Sequence, residues 1–378
     1  MADPKDSASK AAIPLELLKV EAAFVKRAVT SSSGKRSKGR GAPSYKRDVM
    51  YAAMRELLGG LSTQQIQALV PTTDKVYERV AKWKHEKIKS VSLGSGAQAH
   101  WIGPEQANHV MLYFHGGGFY GPATMGHLRY QFTLQREMAK RGHDFAIFSL
   151  TYTLTPGAAY PTQLKQAALA LNYLLVDEHR DPSSIMVGGD SAGGNLAAAL
   201  LEHIARPHPQ APAVSLSCPL RAALLISPWI SFQINEPSFS SNAESDYLTP
   251  RALKRASNAY IPPGGHHDHY SQPVTAPVEW WSDIARTVVD KMMIWGGGGE
   301  VLVDGIRSFA ATVKNGFTEA DIARANHDEH KGTERFTFVV TPKHSHEEMI
   351  IDEVFFRSKK GEGAEVIERW LSGVLNLL

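Results

Sequence analysis

The segment Gly189-Asp190-Ser191-Ala192-Gly193 sets a serine between glycines, behind the apolar run IMV and ahead of the alanine-rich run NLAAAL. A serine does acyl chemistry when a sharp strand-to-helix turn lifts its Oγ above a sheet, and that turn accepts only small residues on either side. A second segment, His115-Gly116-Gly117-Gly118-Phe119, follows the apolar run VMLYF. Acyl transfer to a serine builds a tetrahedral oxyanion, which preorganised backbone N–H groups stabilise directly. Bare glycine backbone supplies such donors and lets a substrate carbonyl approach, at an entropic cost that an ordinary strand end does not require. The two segments together point to Ser191 as nucleophile and to the N–H groups of Gly117, Gly118 and Ala192 as an oxyanion hole. His115 would orient the loop.

Elements must hold these segments in place, and the chain supplies them. HVMLYFHGG, DFAIFSLTY, SIMVGGDS, RAALLISPW, KMMIWGG and RFTFVVTP are short apolar runs closed by Gly, Pro, Ser or Thr-Tyr, as strands buried on both faces should be. Amphipathic stretches such as LRYQFTLQREMAKRG and PTQLKQAALALNYLL lie between them, so a mostly parallel sheet flanked by helices is expected. IKSVSLG and AQAHWIG read as an earlier hairpin, and AEVIERWLSGVLNLL as a C-terminal helix on the sheet. Residues 1–87 read as helices with a basic loop. The stretch from about 230 to 283 is far longer than a usual connection of roughly 4–6 residues. The expected organisation is a catalytic domain over 88–378, with the N-terminal segment and this insertion forming a helical cap.

Composition restricts the remaining choices. The chain has 378 residues, 43% of them hydrophobic, and a net charge of +3, which argues for neither a nucleic-acid partner nor a membrane surface. Lys35, Arg36, Lys38, Arg40, Lys46 and Arg47 cluster in a Ser/Gly-rich stretch that reads as a solvated loop. No apolar run reaches the roughly 18 residues of a membrane span, and the polar start MADPKDSASK lacks the order of a secretion signal. The expected location is therefore cytoplasmic. The single cysteine, Cys218, reads as a small core residue. His266, His267, Asp268 and His269 are adjacent, so they do not converge on one ion; an exposed turn is expected, with no metal and no cofactor. Trp280 and Trp281 read as packing residues. The oligomeric state, monomer or homodimer, is left open.

HGGGF followed by GDSAGGNLA resembles the hormone-sensitive-lipase-like branch of serine α/β-hydrolases, as do SPWISF and SNAESDYLT. The resemblance covers about residues 88–378, and AHWIG and the C-terminal half look most like fungal members, sometimes grouped with steryl acetyl hydrolases. It implies an α/β-hydrolase fold and the triad order serine, acid, histidine. Where that branch shows G-x-D-P-L-x-D, this chain has GGEVLVD: Glu300 takes the triad position, and Asp304 is the alternative because the proline is missing. Bacterial relatives often show His-Gly-Phe after the next strand, and this chain does not. Its His346-Glu347 with Asp352 resembles the fungal pattern, so His346 is the implied base ahead of His344. The implied activity is hydrolysis of a small-molecule carboxylic ester, with a short, acetyl-like acyl group and a hydrophobic alcohol, in fungal secondary metabolism. Lactone, amide or non-hydrolytic chemistry in the same pocket is the alternative. A ligand receptor on the same scaffold, like the plant gibberellin receptors, is a further one, although those lack the histidine.

Overall fold

The computed structural model describes residues 13–32, 41–325, 334–356 and 360–376; Lys35, Arg36, Lys38 and Arg40 lie outside the described residues. Four helices come first: α1 (Ile13–Ser32), α2 (Tyr45–Gly60), α3 (Thr63–Leu69) and α4 (Thr73–Lys84). The last three begin on hydroxyl caps, in which Ser44, Ser62 and Thr72 accept from the N–H groups of Arg47, Gln65 and Lys75.

The sheet strands are β1 (Ser90–Gly94), β2 (Ala97–Ile102), β3 (His109–Phe114), β4 (Phe145–Thr151), β5 (Ile185–Asp190), β6 (Leu220–Ile226), β7 (Val289–Gly297) and β8 (Phe336–Thr341). They lie side by side in the order β1-β2-β4-β3-β5-β6-β7-β8. β1 and β2 form the expected antiparallel hairpin, β2 pairs antiparallel with β4, and every later pairing is parallel. The helices between and after them are α5 (Met125–Lys140), α6 (Thr162–Asn172), α7 (Ala192–Ala205), α8 (Ser238–Ser241), α9 (Pro250–Tyr260), α10 (Val278–Thr287), α11 (Val303–Ala325), α12 (Glu348–Phe355) and α13 (Glu362–Leu375).

Strand alternation divides the core in two. Leu112, Phe148, Val187 and Leu225 pack with Leu164, Leu196, Ile284 and Phe309 of α6, α7, α10 and α11. Met111, Ile147, Met186 and Leu224 face the other way, onto Tyr77, Leu128, Ile367 and Leu371 of α4, α5 and α13. Both faces of the central strands are buried, which is why their sequences are continuously apolar.

The stretch from about 230 to 283 does not act as one insertion. Its last residues belong to α10, whose Trp281 is fully buried against Phe309 of the sheet-flanking α11, so the irregular part ends near Pro277. What remains, with α8 and α9, meets the N-terminal helices: Arg255 of α9 donates to the carbonyls of Leu58 and Gly59. Arg27 holds Asp48 through two 2.8 Å bonds and reaches Glu244 at 3.1 Å. Among the described residues, no helix is long and apolar enough to cross a membrane.

Candidate active site

β5 ends at Asp190, and Ser191 turns the chain into α7 with φ 49° and ψ −117°. Such a conformation costs of order 1–3 kcal/mol for a residue with a side chain and persists only where surrounding bonds fix it. Here they do. Ser191 N–H donates to the Ile226 carbonyl at 2.9 Å, and its carbonyl accepts from Trp229 and Asn195 at 2.9 and 3.0 Å. The flanking glycines are sterically required. A Cβ on Gly189 would lie 2.3 Å from the Gly193 oxygen, and one on Gly193 would lie 2.0 Å from the Phe114 oxygen.

The glycine loop turns through positive φ at Gly117 (108°), Gly118 (60°) and Phe119 (63°). Gly121 N–H closes it onto the Gly117 carbonyl at 2.7 Å. Among the described residues, the N–H groups of Gly117, Gly118 and Ala192 have no protein acceptor. His115 lies under the loop, stacked on Tyr152 at 4.5 Å, with its Nδ1–H donating to the Gly116 carbonyl at 2.7 Å. Burial, assisted by nearby His127, brings its pKa down to about 4, so it is a neutral donor at neutral pH.

His346 and Glu300 come together from the loops after β8 and β7. His346 Nδ1 is 2.7 Å from Glu300 Oε2, and both residues are buried. The other oxygen, Oε1, accepts from Gly297 N–H at 2.6 Å and from the Ser227 hydroxyl at 3.0 Å. Asp304 lies elsewhere: its carboxylate accepts from Ser238 N–H and pairs with Arg307. His344 faces Glu348 at 3.4 Å and the edge of Trp295. Ser191 Oγ makes no hydrogen bond among the described residues.

Sequence reasoning missed several residues here. Ser227 donates to Glu300 and accepts from Glu347 N–H at 3.2 Å, tying β6 to the histidine loop. Asp246, fully buried, accepts from the N–H groups of Val301, Tyr247 and His346 at 2.7, 2.7 and 3.4 Å. Burial raises its pKa to about 6, against the pull of His346 and with Glu300 adding to the rise. Asp190, Glu347 and His127 form a buried cluster beneath the glycine loop. The signal for Asp190 and Glu347 was an acid directly beside Ser191 and His346; His127, on α5, carried none.

Other expected features fall outside this site. Asp268 accepts from the N–H of Ser271 and His269 meets Thr275 within the turn that carries them, and Asp268 also accepts from the hydroxyl of the distant Tyr160. Cys218 is not a core residue: it is half-buried, with its thiol 3.5 Å from Asp181. It lies on the approach to β6, separated from Leu220, the first strand residue, by Pro219 alone.

A serine elbow, a glycine loop and a buried acid–histidine pair at one end of a mostly parallel sheet define the class. The family model described as alpha/beta hydrolase fold matches residues 111–333, and the chain belongs to that family. Among curated relatives, it is 31% identical over 175 residues to arylacetamide deacetylase of Bos taurus, covering 40% of this chain and 41% of that one. It is 32% identical over 204 residues to esterase LipI of Mycobacterium tuberculosis (strain ATCC 25618 / H37Rv), covering 50% and 58%. The chain thus spans about half the length of the curated relatives it matches. Among solved structures, esterase EstE5 superposes with a TM-score of 0.62 at 20% identity, covering 87% of this chain and 98% of that one. An esterase from the bacterial hormone-sensitive lipase family gives 0.58 at 22%, covering 95% and 97%. These likenesses establish the fold.

Proposed function

We propose that the protein is a carboxylic-ester hydrolase of the hormone-sensitive-lipase-like branch, working through an acyl-serine intermediate on Ser191. In this reading Glu300 holds the Nδ1–H tautomer of His346, leaving Nε2 to take the Ser191 proton as Oγ attacks the ester carbonyl. The N–H groups of Gly117, Gly118 and Ala192 receive the oxyanion. His346 then gives the proton to the departing alcohol, and water, activated by the same nitrogen, releases the acid. One observation carries the proposal: a buried His346–Glu300 bond of 2.7 Å is tied through the Ser227 hydroxyl to the end of β6, where the Ile226 carbonyl holds the non-glycine turn at Ser191 at φ 49°. A ligand receptor has no use for that pair.

A short acyl group is favoured by the crowding beside the elbow. Phe119 stacks on Tyr260 at 3.8 Å and meets Trp229, and all three are buried. This packed aromatic cluster fills the space beside the elbow, which supports a small acyl group, consistent with the acetamide named for the bovine relative. The N-terminal helices with α8 and α9 serve as the cap in this reading, and unpaired Cys218 suits a reducing, cytoplasmic compartment. The test is a series of p-nitrophenyl esters of rising chain length, assayed with the wild type and Ser191→Ala. The expected result is turnover that falls with chain length and disappears in the variant. Equal turnover by both proteins would refute the proposal.

A further inference from the structure

Three chain segments of the site, those of the serine, the histidine and the glycine loop, each have a neighbour in one buried node. Asp190 precedes Ser191, Glu347 follows His346, and Gly116 precedes Gly117. Asp190 accepts from Gly116 N–H at 2.6 Å and from the Tyr113 hydroxyl at 2.8 Å. His127 Nε2 lies 3.2 Å from the same carboxylate. Thr124 N–H donates to His127 Nδ1 at 3.1 Å, so Nδ1 carries no proton and the neutral ring presents Nε2–H to Asp190. A ring in that tautomer has no lone pair at Nε2 for an ion, so the three clustered side chains are a hydrogen-bonded node and not a cation site.

Glu347 completes it. Its backbone stands at φ 47°, ψ 37°, a strained setting for a side-chain-bearing residue, with the carboxyl buried against Asp190 and Oε1 lacking a hydrogen-bond partner. The same Oε1 is 3.7 Å from His346 Nε2, and the Tyr247 hydroxyl reaches Oε2 at 3.3 Å. A Cβ on Gly116 would fall 2.3 Å from Asp190 and 2.4 Å from Glu347, so the glycine loop rests directly on both carboxyls. Two ionised carboxylates cannot share such a contact without a cation or a proton between them.

We propose that Glu347 is a positioning residue that works as a neutral carboxylic acid. It donates its proton to the Asp190 carboxylate and so fixes the oxyanion loop against the segments bearing nucleophile and base. This rests on the hydrolase reading of the site. The electrostatics agree: burial, then Asp190, raises the Glu347 pKa well above the carboxylate range. Asp190 is the ionised partner, because the hydrogen bonds from Glu347, Tyr113 and the neutral His127 ring favour its charge against burial. The titratable groups facing the node are Tyr113 and Asp190 on the sheet, His115 under the loop, His127 and Tyr130 on α5, Tyr152 after β4, Tyr247 in the insertion, and Glu300 and His346. None of them is a fixed cation, so raising the pH removes the Glu347 proton and breaks the node.

The test compares Glu347→Gln and Glu347→Ala with the wild type. Gln keeps a neutral donor to Asp190; Ala keeps none. Glu347→Ala should lose about 10²-fold in kcat, the scale of a displaced oxyanion loop, with KM little changed. Glu347→Gln should recover most of that loss and lack the alkaline decline of the wild type. An infrared difference spectrum, wild type minus Glu347→Gln at neutral pH, should show the C=O stretch of a protonated carboxylic acid. It needs no activity and stands even where the Ala variant does not fold. A carboxylate band in its place, or an alkaline limb retained by Glu347→Gln, would overturn the proposal. A wild type inactive on every ester would instead count against the hydrolase reading, leaving the infrared result to decide on Glu347.

Discussion

Replacing Glu300 by Gln changes one atom and leaves the shape intact. Two donors fix the orientation of that side chain: Gly297 N–H at 2.6 Å and the Ser227 hydroxyl at 3.0 Å both address Oε1. Gln must place its carbonyl oxygen there, because the Gly297 N–H cannot turn away. Its NH₂ group then faces His346 Nδ1 across the 2.7 Å contact and makes that nitrogen an acceptor. The proton moves to Nε2, the atom that the proposed mechanism needs free to deprotonate Ser191. In the serine-protease template the equivalent change lowers kcat by about 10⁴ through the same tautomer error, or about 5 kcal/mol of barrier. Glu300→Gln should show a loss of that size on p-nitrophenyl acetate, with a native circular dichroism spectrum. Asp304→Asn, whose residue bonds Ser238 and Arg307, should stay close to the wild type. Glu300→Gln within tenfold of the wild type would refute the reasoning, and so would a loss confined to Asp304→Asn.

The other perturbations address different parts of the site. His346→Ala should lower kcat by roughly 10⁴ or more, whereas His344→Ala, removing a ring that meets Glu348 and Trp295, should be mild; steady-state kinetics of both decide. Gly193→Ala puts a Cβ 2.0 Å from the Phe114 carbonyl oxygen, forcing a backbone shift of about 1 Å that should cost about 10²-fold in kcat and 1–3 kcal/mol in urea unfolding. His115, held neutral in the fold with its pKa near 4, contributes stability that is complete above its unfolded pKa of about 6.5. That contribution, about 3 kcal/mol, is lost as pH falls from about 6.5 to 4; His115→Asn should flatten this slope in unfolding measured across pH.

Much of this was legible because it is local. The elbow and glycine loop are contiguous segments whose residue types follow from steric limits, such as the 2.0 Å clearance at Gly193. Strands β3 to β7 were visible as apolar runs because they are buried on both faces, and the half-buried edge strand β8 by its β-branched and aromatic residues. Local reasoning failed where contacts bridge distant segments. Asp246 reads as one acid in SNAESDYLT, and only the fold brings it to Val301 and His346. Ser227 closes β6 like any small residue until Glu300 arrives from the loop after β7. Trp281 was assigned to the insertion because helix periodicity alone does not say which helix lies on the sheet. Tyr51 shows the same limit: its hydroxyl meets Ser345 at 2.6 Å, across nearly the whole chain.

The central claim is that Ser191 is an activated nucleophile beside an oxyanion hole. The most direct measurement treats folded wild type and Ser191→Ala with a small fluorophosphonate, followed by intact-mass analysis and peptide mapping. The account predicts a single adduct, on the peptide bearing Ser191, and none on the variant. An adduct on another serine, or an unmodified but folded wild type, would contradict it.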